Sequence, residues 1–263
     1  MRLEKFTIGQ AHINKLLVGE LNGKMGTEAR LSSMLKRYTY EDFASCPVTA
    51  KKGGGAVAGA TGEEDLMIFE ENIFEYHILG AGQTLLAPVF KAGGLDIGLD
   101  QAADEGCEVS QGILSRSRAA FTVGTDAFYA KCKFSIETVA GTDDCAFGFR
   151  KAEDYQANID DYDEMAALNV IAGDIKIETI LNNAATDTTD TTDAWADGET
   201  HTLEVYVDLL GQVTFKIDGA APTVTASFTF DSGEAVVPFL YMLNHTGGAG
   251  AVLLKEWECG LLM

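Results

Sequence analysis

The segment 200–219, THTLEVYVDLLGQVTFKIDG, is the part of the sequence that most constrains the fold. Apolar and polar side chains alternate on both sides of a turn at Leu210-Gly211-Gln212, and Asp218-Gly219 marks a second turn. Successive side chains of a strand point to opposite faces, so each strand has one apolar face. The residues predicted to face inward are Leu203, Val205, Val207, Val213, Phe215 and Ile217. Because one hairpin cannot bury such a face alone, the rest of the chain must supply a second sheet.

Short strand-like runs follow one another along most of the chain, and turn residues separate nearly all of them. Besides the hairpin, the runs are 66–69, 74–79, 84–90, 95–99, 107–113, 128–136, 145–149, 165–171, 175–181, 223–230, 236–243 and 252–259. A tight turn, Ala172-Gly173-Asp174, joins two of them. Because no long helical pattern lies between the runs, we predict a mainly β chain that forms an antiparallel β-sandwich or jelly roll.

Residues 1–62 differ from the rest of the chain. Their apolar side chains form short groups that indicate helical or irregular pieces, and 51–62, KKGGGAVAGATG, is typical of a flexible or extended connector. Residues 1–60 carry nine basic and five acidic side chains, which gives them a net charge of +4. Because the whole chain has a net charge of −21, the remaining residues carry −25. We therefore predict an N-terminal arm, extended or partly helical, over 1–62 and a β-sandwich over 63–263. The arm is expected to pack on its own body or on another subunit.

Charge and hydropathy exclude several classes of partner. An acidic body repels nucleic acid and anionic membranes, so neither is a predicted partner. The sequence has no apolar run of about 18 residues and no secretory leader pattern, so we expect a protein that remains in the cytoplasm where it is made. No C-x-x-C pair occurs among the cysteines, which are expected to be reduced thiols, with Cys132 at an inward strand position. The cysteines are Cys46, Cys107, Cys132, Cys145 and Cys259.

Four stretches resemble the concanavalin A-like lectin/glucanase superfamily in its laminin-G-like form. They are FYAKCKFSIE (128–137), DCAFGFRKAEDY (144–155), HTLEVYVDLLGQVTFKIDG (201–219) and VVPFLYMLNHTGGAGAVLLKEWECGLL (236–262). The region 94–262 also resembles virion structural proteins of tailed bacteriophages, several of which join such a domain to a short N-terminal anchor. The first resemblance implies the fold, and the second implies a capsid-decorating or tail-associated role.

No pattern of a known catalytic site occurs in the sequence, and we predict a protein that is not an enzyme. The glucanases of this superfamily place three carboxylates on one strand face as E-x-D-x-E, and that motif is missing. The nearest acidic cluster, 160–164, is contiguous and is predicted to be an exposed loop. Calcium or sugar binding is the alternative for its carboxylates, Asp160, Asp161 and Asp163. The tract 186–193, TDTTDTTD, is likewise predicted to be a solvated loop, with calcium binding as its alternative.

Aromatic side chains outside the apolar strand faces are candidates for stacking on sugar rings. These candidates are Tyr155, Tyr162, Trp195 and Tyr206. For each of them, packing inside the protein or against another subunit is the alternative role. Trp257 is expected to face inward or to lie at an edge between the sheets. The predicted cofactor set is therefore empty, with calcium as an alternative, and glycans are an alternative partner.

The resemblance and the charge split together predict a bacteriophage virion structural protein, assembled in the host cytoplasm. We expect a head-associated or capsid decoration protein that contacts the major capsid protein or other virion proteins and forms a homo-oligomer. The contact would bury apolar side chains of the arm and pair its basic side chains with an acidic neighbour. The candidate contact residues are Leu16, Leu17, Leu21, Met34, Leu35, Lys36 and Arg37. The alternatives are a lectin-like tail or host-attachment protein and, third, a hydrolase.

Overall fold

The computed structural model describes residues 36–38, 51–52, 64–69, 72–80, 89–98, 102–110 and 120–262, with side chains in 76–80, 91–98, 102–110 and 120–262. Within these ranges strands are the dominant regular secondary structure. The helical segments there are two short 3-10 turns, Val139–Gly141 and Ile159–Asp161. No helix in this part of the chain is long and apolar enough to cross a bilayer.

The described strands are numbered in chain order. They are β1 (Lys36–Tyr38), β2 (Lys51–Lys52), β3 (Glu64–Phe69), β4 (Asn72–Leu79), β5 (Val89–Lys91), β6 (Gly94–Asp96), β7 (Gly106–Ser110), β8 (Phe121–Thr122), β9 (Phe128–Ile136), β10 (Thr142–Lys151), β11 (Met165–Ile171), β12 (Asp174–Ile180), β13 (Asp187–Ala194), β14 (Thr200–Val207), β15 (Val213–Ile217), β16 (Ala235–Asn244) and β17 (Val252–Leu261).

These strands form two sheets. The seven-stranded sheet has the order β15-β14-β9-β17-β6-β5, with β1 also beside β17. The ten-stranded sheet has the order β13-β12-β11-β10-β16-β7-β4-β3-β2, with β8 also beside β16. The strand pairs of both sheets are antiparallel. The predicted fold class, a mainly β antiparallel sandwich, is confirmed.

Aromatic side chains from both sheets meet in one core. Phe147 of β10 and Trp257 of β17 contact edge to face with ring centroids 5.3 Å apart, and Phe128 of β9 meets Phe149 of β10 at 5.0 Å. Trp257 and Cys132 are fully buried, as their strand positions predicted. Each such aromatic buries about 150–250 Å², so these contacts between the sheets dominate the stability of the sandwich.

Residues 200–219 form the predicted hairpin, β14 and β15. Val205 of β14 lies opposite Phe215 of β15, and both side chains face the core. The turn is closed by Asp208, whose side-chain oxygen accepts hydrogen bonds from the backbone amides of Leu210 and Gln212. Gly211 has a φ of 84°, a left-handed conformation that glycine adopts without steric cost.

The ten-stranded sheet is covered on its outer face as well as its inner face. Residues 152–164, between β10 and β11, cross this outer face and are called the strap. Ile159 and Tyr162 of the strap are buried in a second apolar cluster on the outer face. The other members of the cluster are Leu79, Ala146, Met165, Ala167, Ile180, Phe239, Tyr241 and Leu243. Because Tyr162 and Glu164 are buried, the prediction that 160–164 is an exposed loop is wrong for these two residues and holds for Asp160 and Asp161.

The predicted solvated loop at 186–193 is instead the edge strand β13. The threonines and aspartates of the tract are exposed or partly exposed except Thr191, which is fully buried and whose hydroxyl donates a hydrogen bond to the backbone oxygen of Ile175. Thr192 has a φ of 62°, next to a shift in the pairing register with β12. A polar tract can therefore be an edge strand, because threonine suits strands and one face of an edge needs no apolar side chains.

The prediction of a strand over 223–230 is wrong. The segment has only an isolated bridge at Thr229, but it runs beside the edge of the seven-stranded sheet. The amide of Val213 donates to the Phe228 oxygen, and the amide of Phe230 donates to the Gly211 oxygen, both at 3.0 Å. The segment thus protects part of an open sheet edge without forming a regular ladder.

Two strands of the predicted arm belong to the sheets. Lys36 of β1 lies opposite Cys259 of β17, and Lys51 of β2 lies opposite Leu66 of β3. At the backbone level this agrees with the expectation that the arm packs on its own body. The division at 62/63 remains a prediction about what each part does, but the sheets extend across it.

Candidate functional site

An open depression lies on the outer face of the ten-stranded sheet, beside the strap. Its volume is about 440 Å³. We call it the acidic depression; its lining includes Asp104, Asp143, Asp144, Ala157, Asn158, Asp160, Ile171, Glu178 and Leu243. Five of these nine residues are acidic and none is basic, so the depression concentrates negative potential where a ligand could enter.

One amide joins two carboxylates at the floor of the depression. The side-chain nitrogen of Asn169 in β11 donates to Asp144 Oδ1 at 2.6 Å and to Glu178 Oε2 at 2.7 Å. The side-chain oxygen of Asn169 accepts from the backbone amide of Cys145 at 2.8 Å, which fixes the amide orientation. Asp144 and Glu178 lie on β10 and β12, the two neighbours of β11, so the sheet itself sets their spacing.

Burial makes the charge on these carboxylates costly. Burial, followed by the neighbouring carboxylates of Glu178, Asp143 and Asp160, raises the pKa of Asp144 to about 7, against the hydrogen bond from Asn169. Burial also raises the pKa of Glu178, although the Asn169 hydrogen bond and the Lys176 ammonium act in the opposite direction. A depression with carboxylates of raised pKa is a common property of functional sites.

The strap forms one wall of the depression and is held at its tip, residues 156–161. The hydroxyl of Tyr241 in β16 donates to the Ala157 oxygen at 2.8 Å, and the hydroxyl of Thr186 donates to Asp160 Oδ1 at 2.6 Å. Ile159, between these two residues, is buried against the sheet. The wall is therefore anchored by one side chain from β16 and one from the loop that precedes β13.

A fully buried ion pair lies under the other half of the strap. Arg150 Nε of β10 donates to Glu108 Oε1 of β7 at 2.7 Å, and neither side chain is exposed to solvent. The hydroxyl of Tyr162 donates to the second oxygen of Glu108 and accepts from the backbone amide of Gln156 at 3.3 Å. Arg150 Nη1 also donates to the backbone oxygens of Lys151 and Glu153 at 2.9 and 3.1 Å.

Tyr155 of the strap covers this ion pair from the outside. The guanidinium of Arg150 lies 5.2 Å from the Tyr155 ring centroid and 4.7 Å from that of Tyr162. His77 of β4 stacks on Tyr155 at 4.9 Å. Burial, and then the Arg150 charge, lower the pKa of His77 to about 4. His77 is therefore neutral at physiological pH.

The outer face of the seven-stranded sheet carries a second open depression of about 390 Å³. Its lining has four acidic residues and two lysines, and each lysine is paired with a glutamate: Lys131 lies 3.3 Å from Glu204, and Lys133 lies 3.0 Å from Glu256. Such alternating, partly exposed ion pairs are typical of a solvated sheet face and contribute about 0–1 kcal/mol each. We therefore assign the candidate site to the acidic depression, whose lining has five acidic residues and no basic residue to neutralise them.

Comparison with known proteins supports the fold. The Emp47p carbohydrate recognition domain matches 72% of this chain and 89% of its own length at 13% identity, with a TM-score of 0.50. The two antiparallel sheets of this chain therefore form a jelly roll of the concanavalin A-like type. The potassium-bound Emp46p carbohydrate recognition domain matches 70% of this chain and 88% of its own at 10% identity and TM-score 0.49. The CBM2 module of the evolved Dit of Lactobacillus casei BL23 phage J-1 matches 88% and 97% at 12% identity and TM-score 0.45.

At 13% identity the likeness to the Emp47p domain bears on the fold alone. No protein-family model matches the sequence, and no curated protein matches it. Because one fold hosts many functions, the function of this jelly roll depends on its own site residues.

The aromatic candidates for sugar stacking fall in different places. Tyr155, Tyr162 and Trp195 are buried, so in this structure they have the packing role that the sequence left open as an alternative. Trp195 packs on Phe134 at 4.7 Å. Tyr206 is partly exposed on the seven-stranded sheet, so it alone of the four could meet a sugar without a rearrangement.

The three candidate calcium ligands are not brought together. Asp160 lines the acidic depression, Asp161 is exposed on the strap, and Asp163 Oδ2 lies 2.9 Å from the Lys151 ammonium. Among the side chains that the structure describes, no group of three or more His, Cys, Asp or Glu residues is arranged to hold a metal ion. Calcium binding by these residues remains a prediction.

The candidate capsid-contact residues lie mainly outside the described residues. This applies to Leu16, Leu17, Leu21, Met34 and Leu35. The backbone of Lys36 and Arg37 is described in β1, opposite Cys259 and Glu258 of β17. Their role in a contact with another protein is untested by this pairing.

Sequence reasoning missed the central residues of the site, Asp144, Asn169 and Glu178. One signal was present: Asn169 is a lone amide in the otherwise apolar strand MAALNVI, at a position that alternates with the core residues Leu168 and Val170. An amide on a strand face indicates polar neighbours across the sheet. Identifying those neighbours required the pairing of β11 with β10 and β12.

Proposed function

We propose that this chain is a non-enzymatic, carbohydrate-binding module of a virion, and that the acidic depression holds the sugar. The observation that carries the proposal is the Asp144–Asn169–Glu178 arrangement, in which one fixed amide orients two carboxylates toward an open depression. A preorganised set of polar groups loses little conformational freedom on binding and therefore favours a polar ligand such as a sugar.

The lining offers both kinds of contact that a sugar needs. The carboxylates of Asp144, Asp160 and Glu178 can accept hydrogen bonds from sugar hydroxyls, and Ile171 and Leu243 offer apolar surface for the ring carbons. The surplus of carboxylates favours sugars that carry ammonium groups over neutral sugars. We therefore expect polymers of β-1,4-linked glucosamine to bind better than their N-acetylated forms.

A glycan array tests this proposal, with chitosan hexaose and N-acetylchitohexaose as the matched cationic and neutral probes. Binding should fall at least tenfold in Glu178→Gln and in Asp144→Asn, because each loses a carboxylate but keeps its shape. Glu256→Gln is the control, since it removes a carboxylate paired with Lys133 on the opposite sheet. A full array without any bound glycan, or equal binding by Glu178→Gln and the control, would contradict the proposal.

Glycoside hydrolysis is a second candidate, favoured by the raised pKa of Asp144. A carboxylic acid with a pKa of about 7 beside a second carboxylate can act as a general acid at neutral pH. The missing E-x-D-x-E motif argues against it. Incubation of the bound probes, followed by mass spectrometry, separates the two functions, because shorter oligosaccharides that vanish in Asp144→Asn would identify an enzyme.

The virion location and a capsid decoration role belong to the same proposal. What supports a decoration role is the charge split, with +4 over residues 1–60 and −25 over the rest, which suits an arm that docks on an acidic neighbour. Co-sedimentation with empty phage heads tests it. The full chain should co-sediment and a 36–263 form should not, since that form retains β1 but lacks most of the arm. Equal co-sedimentation of the two forms would exclude anchoring by residues 1–35.

A further inference from the structure

The strap supplies a wall of the acidic depression, yet its strongest attachment lies outside the depression. Ala157, Asn158 and Asp160 of the strap line the depression. Tyr162 follows them by two to five residues and points away from it, into the buried pocket that holds Glu108 and Arg150. The wall and its anchor are therefore joined by one short 3-10 turn, Ile159–Asp161.

We infer that Tyr162 is a positioning residue for the acidic depression: its hydrogen bond to Glu108 holds the strap, and with it the Ala157–Asp160 wall, in the binding conformation. This inference rests on the proposed function for its ligand but on the contacts of the strap for its mechanism. It assigns a role in the proposed binding to a buried tyrosine that cannot touch the sugar.

The hydroxyl of Tyr162 connects three parts of the molecule. It donates to Glu108 of β7, fifty-four residues earlier in the chain, and accepts from the amide of Gln156 at the start of the strap tip. Glu108 is in turn fixed by Arg150 of β10. Because a buried carboxylate that loses a donor is left partly unsatisfied, the Tyr162–Glu108 bond is expensive to break and holds the strap firmly.

The base of the strap is closed independently of Tyr162. The amide of Lys151 donates to the Glu164 oxygen, and the amide of Asp163 donates to Glu153 Oε1, both at 2.8 Å. Lys151 also lies 2.9 Å from Asp163 Oδ2. Loss of the Tyr162 hydroxyl should therefore loosen the tip of the strap, which forms the wall, while the base and the sheet remain intact.

Tyr162→Phe is the decisive variant, because it keeps the ring in contact with Arg150 and Phe239 and removes only the hydroxyl. Tyr129→Phe is its matched control, since the Tyr129 hydroxyl also donates to a glutamate, Glu258 at 2.7 Å, on the opposite sheet. A second strap variant, Tyr241→Phe, removes the 2.8 Å hydrogen bond to the Ala157 oxygen. It tests the same wall should Tyr162→Phe not fold.

Hydrogen exchange of the free protein provides the first readout. The decisive amide is that of Asp161, which donates to the Asn158 oxygen at 3.1 Å and makes no bond to Tyr162. We expect it to exchange about tenfold faster in Tyr162→Phe, because about one hydrogen bond of protection against local opening is lost. The amides of β10 and β16 should keep their wild-type rates in this variant, and all amides of 156–161 should keep theirs in Tyr129→Phe.

The affinity for chitosan hexaose provides the second readout. We expect Tyr162→Phe and Tyr241→Phe to weaken it about threefold to tenfold, and Tyr129→Phe to leave it unchanged. Unchanged exchange at Asp161 in Tyr162→Phe, or faster exchange with unchanged affinity, would overturn the inference. Should the wild type bind no glycan, the proposed function falls, and the exchange rates alone then decide whether Tyr162 positions the wall.

Discussion

His201 Nδ1 lies 2.6 Å from Asp218 Oδ2, and this contact ties the start of β14 to the turn that follows β15. The other oxygen of Asp218 accepts from the amide of Thr202 at 2.8 Å, and the second ring nitrogen of His201 lies 3.2 Å from Glu199 Oε2. The Asp-Gly turn predicted from the sequence is thus also the acceptor of an imidazole, which joins the two ends of the hairpin.

The first prediction follows from the charge of His201. Burial lowers the pKa of His201, but the hydrogen bonds to Asp218 and Glu199 outweigh it, and the net shift is upward. The extra stability is therefore fully present below the unfolded pKa of about 6.5 and is lost as the pH rises through the folded pKa. Because the imidazole is partly exposed, we expect less than about 1 kcal/mol.

Denaturant unfolding at pH 5.5, 6.5, 7.5 and 8.5 measures this effect as the difference between the wild type and His201→Gln. That difference should shrink toward high pH, and Asp218→Asn should remove most of the pH dependence. Asparagine suits the position because Asp218 has a φ of 50°, a left-handed conformation that it tolerates well. A stability difference that is constant over this range would contradict the prediction.

The second prediction concerns the cost of the candidate site. Because the folded state raises the pKa of Asp144 from 3.8 to about 7, it holds a proton more tightly than the unfolded chain does. Ionisation of Asp144 therefore reduces stability progressively as the pH rises from about 4 to above 7. The free energy of unfolding of Asp144→Asn should exceed that of the wild type by about 1–3 kcal/mol at pH 8 and be close to it at pH 4. Thermal unfolding at both pH values checks this, and a destabilised Asp144→Asn at pH 8 would contradict it.

Local pattern was sufficient to predict the hairpins and the fold class. The turn Ala172-Gly173-Asp174 joins β11 to β12 as predicted, with φ values of 51° and 93° at Ala172 and Gly173. The alternation of Leu203, Val205 and Val207 likewise gave the buried face of β14. These features depend on residues that are close together in sequence, so a short segment of sequence is enough to predict them.

The candidate site could not be predicted in the same way, because its contacts join distant residues. Arg150 is a charged residue of a strand, and charged side chains usually face solvent. Only its pairing with Glu108, 42 residues earlier, explains why it is completely buried. Tyr162 lies in a contiguous acidic run whose composition indicates a loop, yet the strap packs it beneath the surface. A buried charge is stable only with its partner, and local sequence does not identify that partner.

The third prediction separates packing from binding at Trp195. Its ring lies 4.7 Å from Phe134 and 4.6 Å from His201, and its Nε1 donates to the Glu199 oxygen at 3.3 Å. Trp195→Ala should therefore destabilise the protein by about 3–5 kcal/mol, as expected for a buried tryptophan. Trp195→Phe should retain wild-type glycan binding in the folded protein. Calorimetry measures the stability of both variants and the glycan array measures their binding. A selective loss of binding in Trp195→Phe would identify Trp195 as a binding residue.

The fourth prediction uses the two strands of the predicted arm to distinguish a structural role from an anchoring role. β1 adds its three residues beside Trp257, Glu258 and Cys259 of β17, and β2 extends the other sheet beside β3. A 63–263 form lacks both strands and removes the partner of β17 on the side of β1 at these positions, next to the fully buried Trp257, while the other side stays paired with β9. A 36–263 form keeps both strands.

We therefore expect the 63–263 form to unfold at lower denaturant concentration than the full chain, by about 2 kcal/mol or more, because ladder hydrogen bonds and the shielding of β17 are lost. The 36–263 form should match the full chain to within about 0.5 kcal/mol. Guanidinium titration of the three forms, followed by fluorescence of the two tryptophans, measures these differences. Equal stability of the 63–263 and 36–263 forms would show that β1 and β2 are dispensable for the sandwich, and the whole of 1–62 could then act as an anchor.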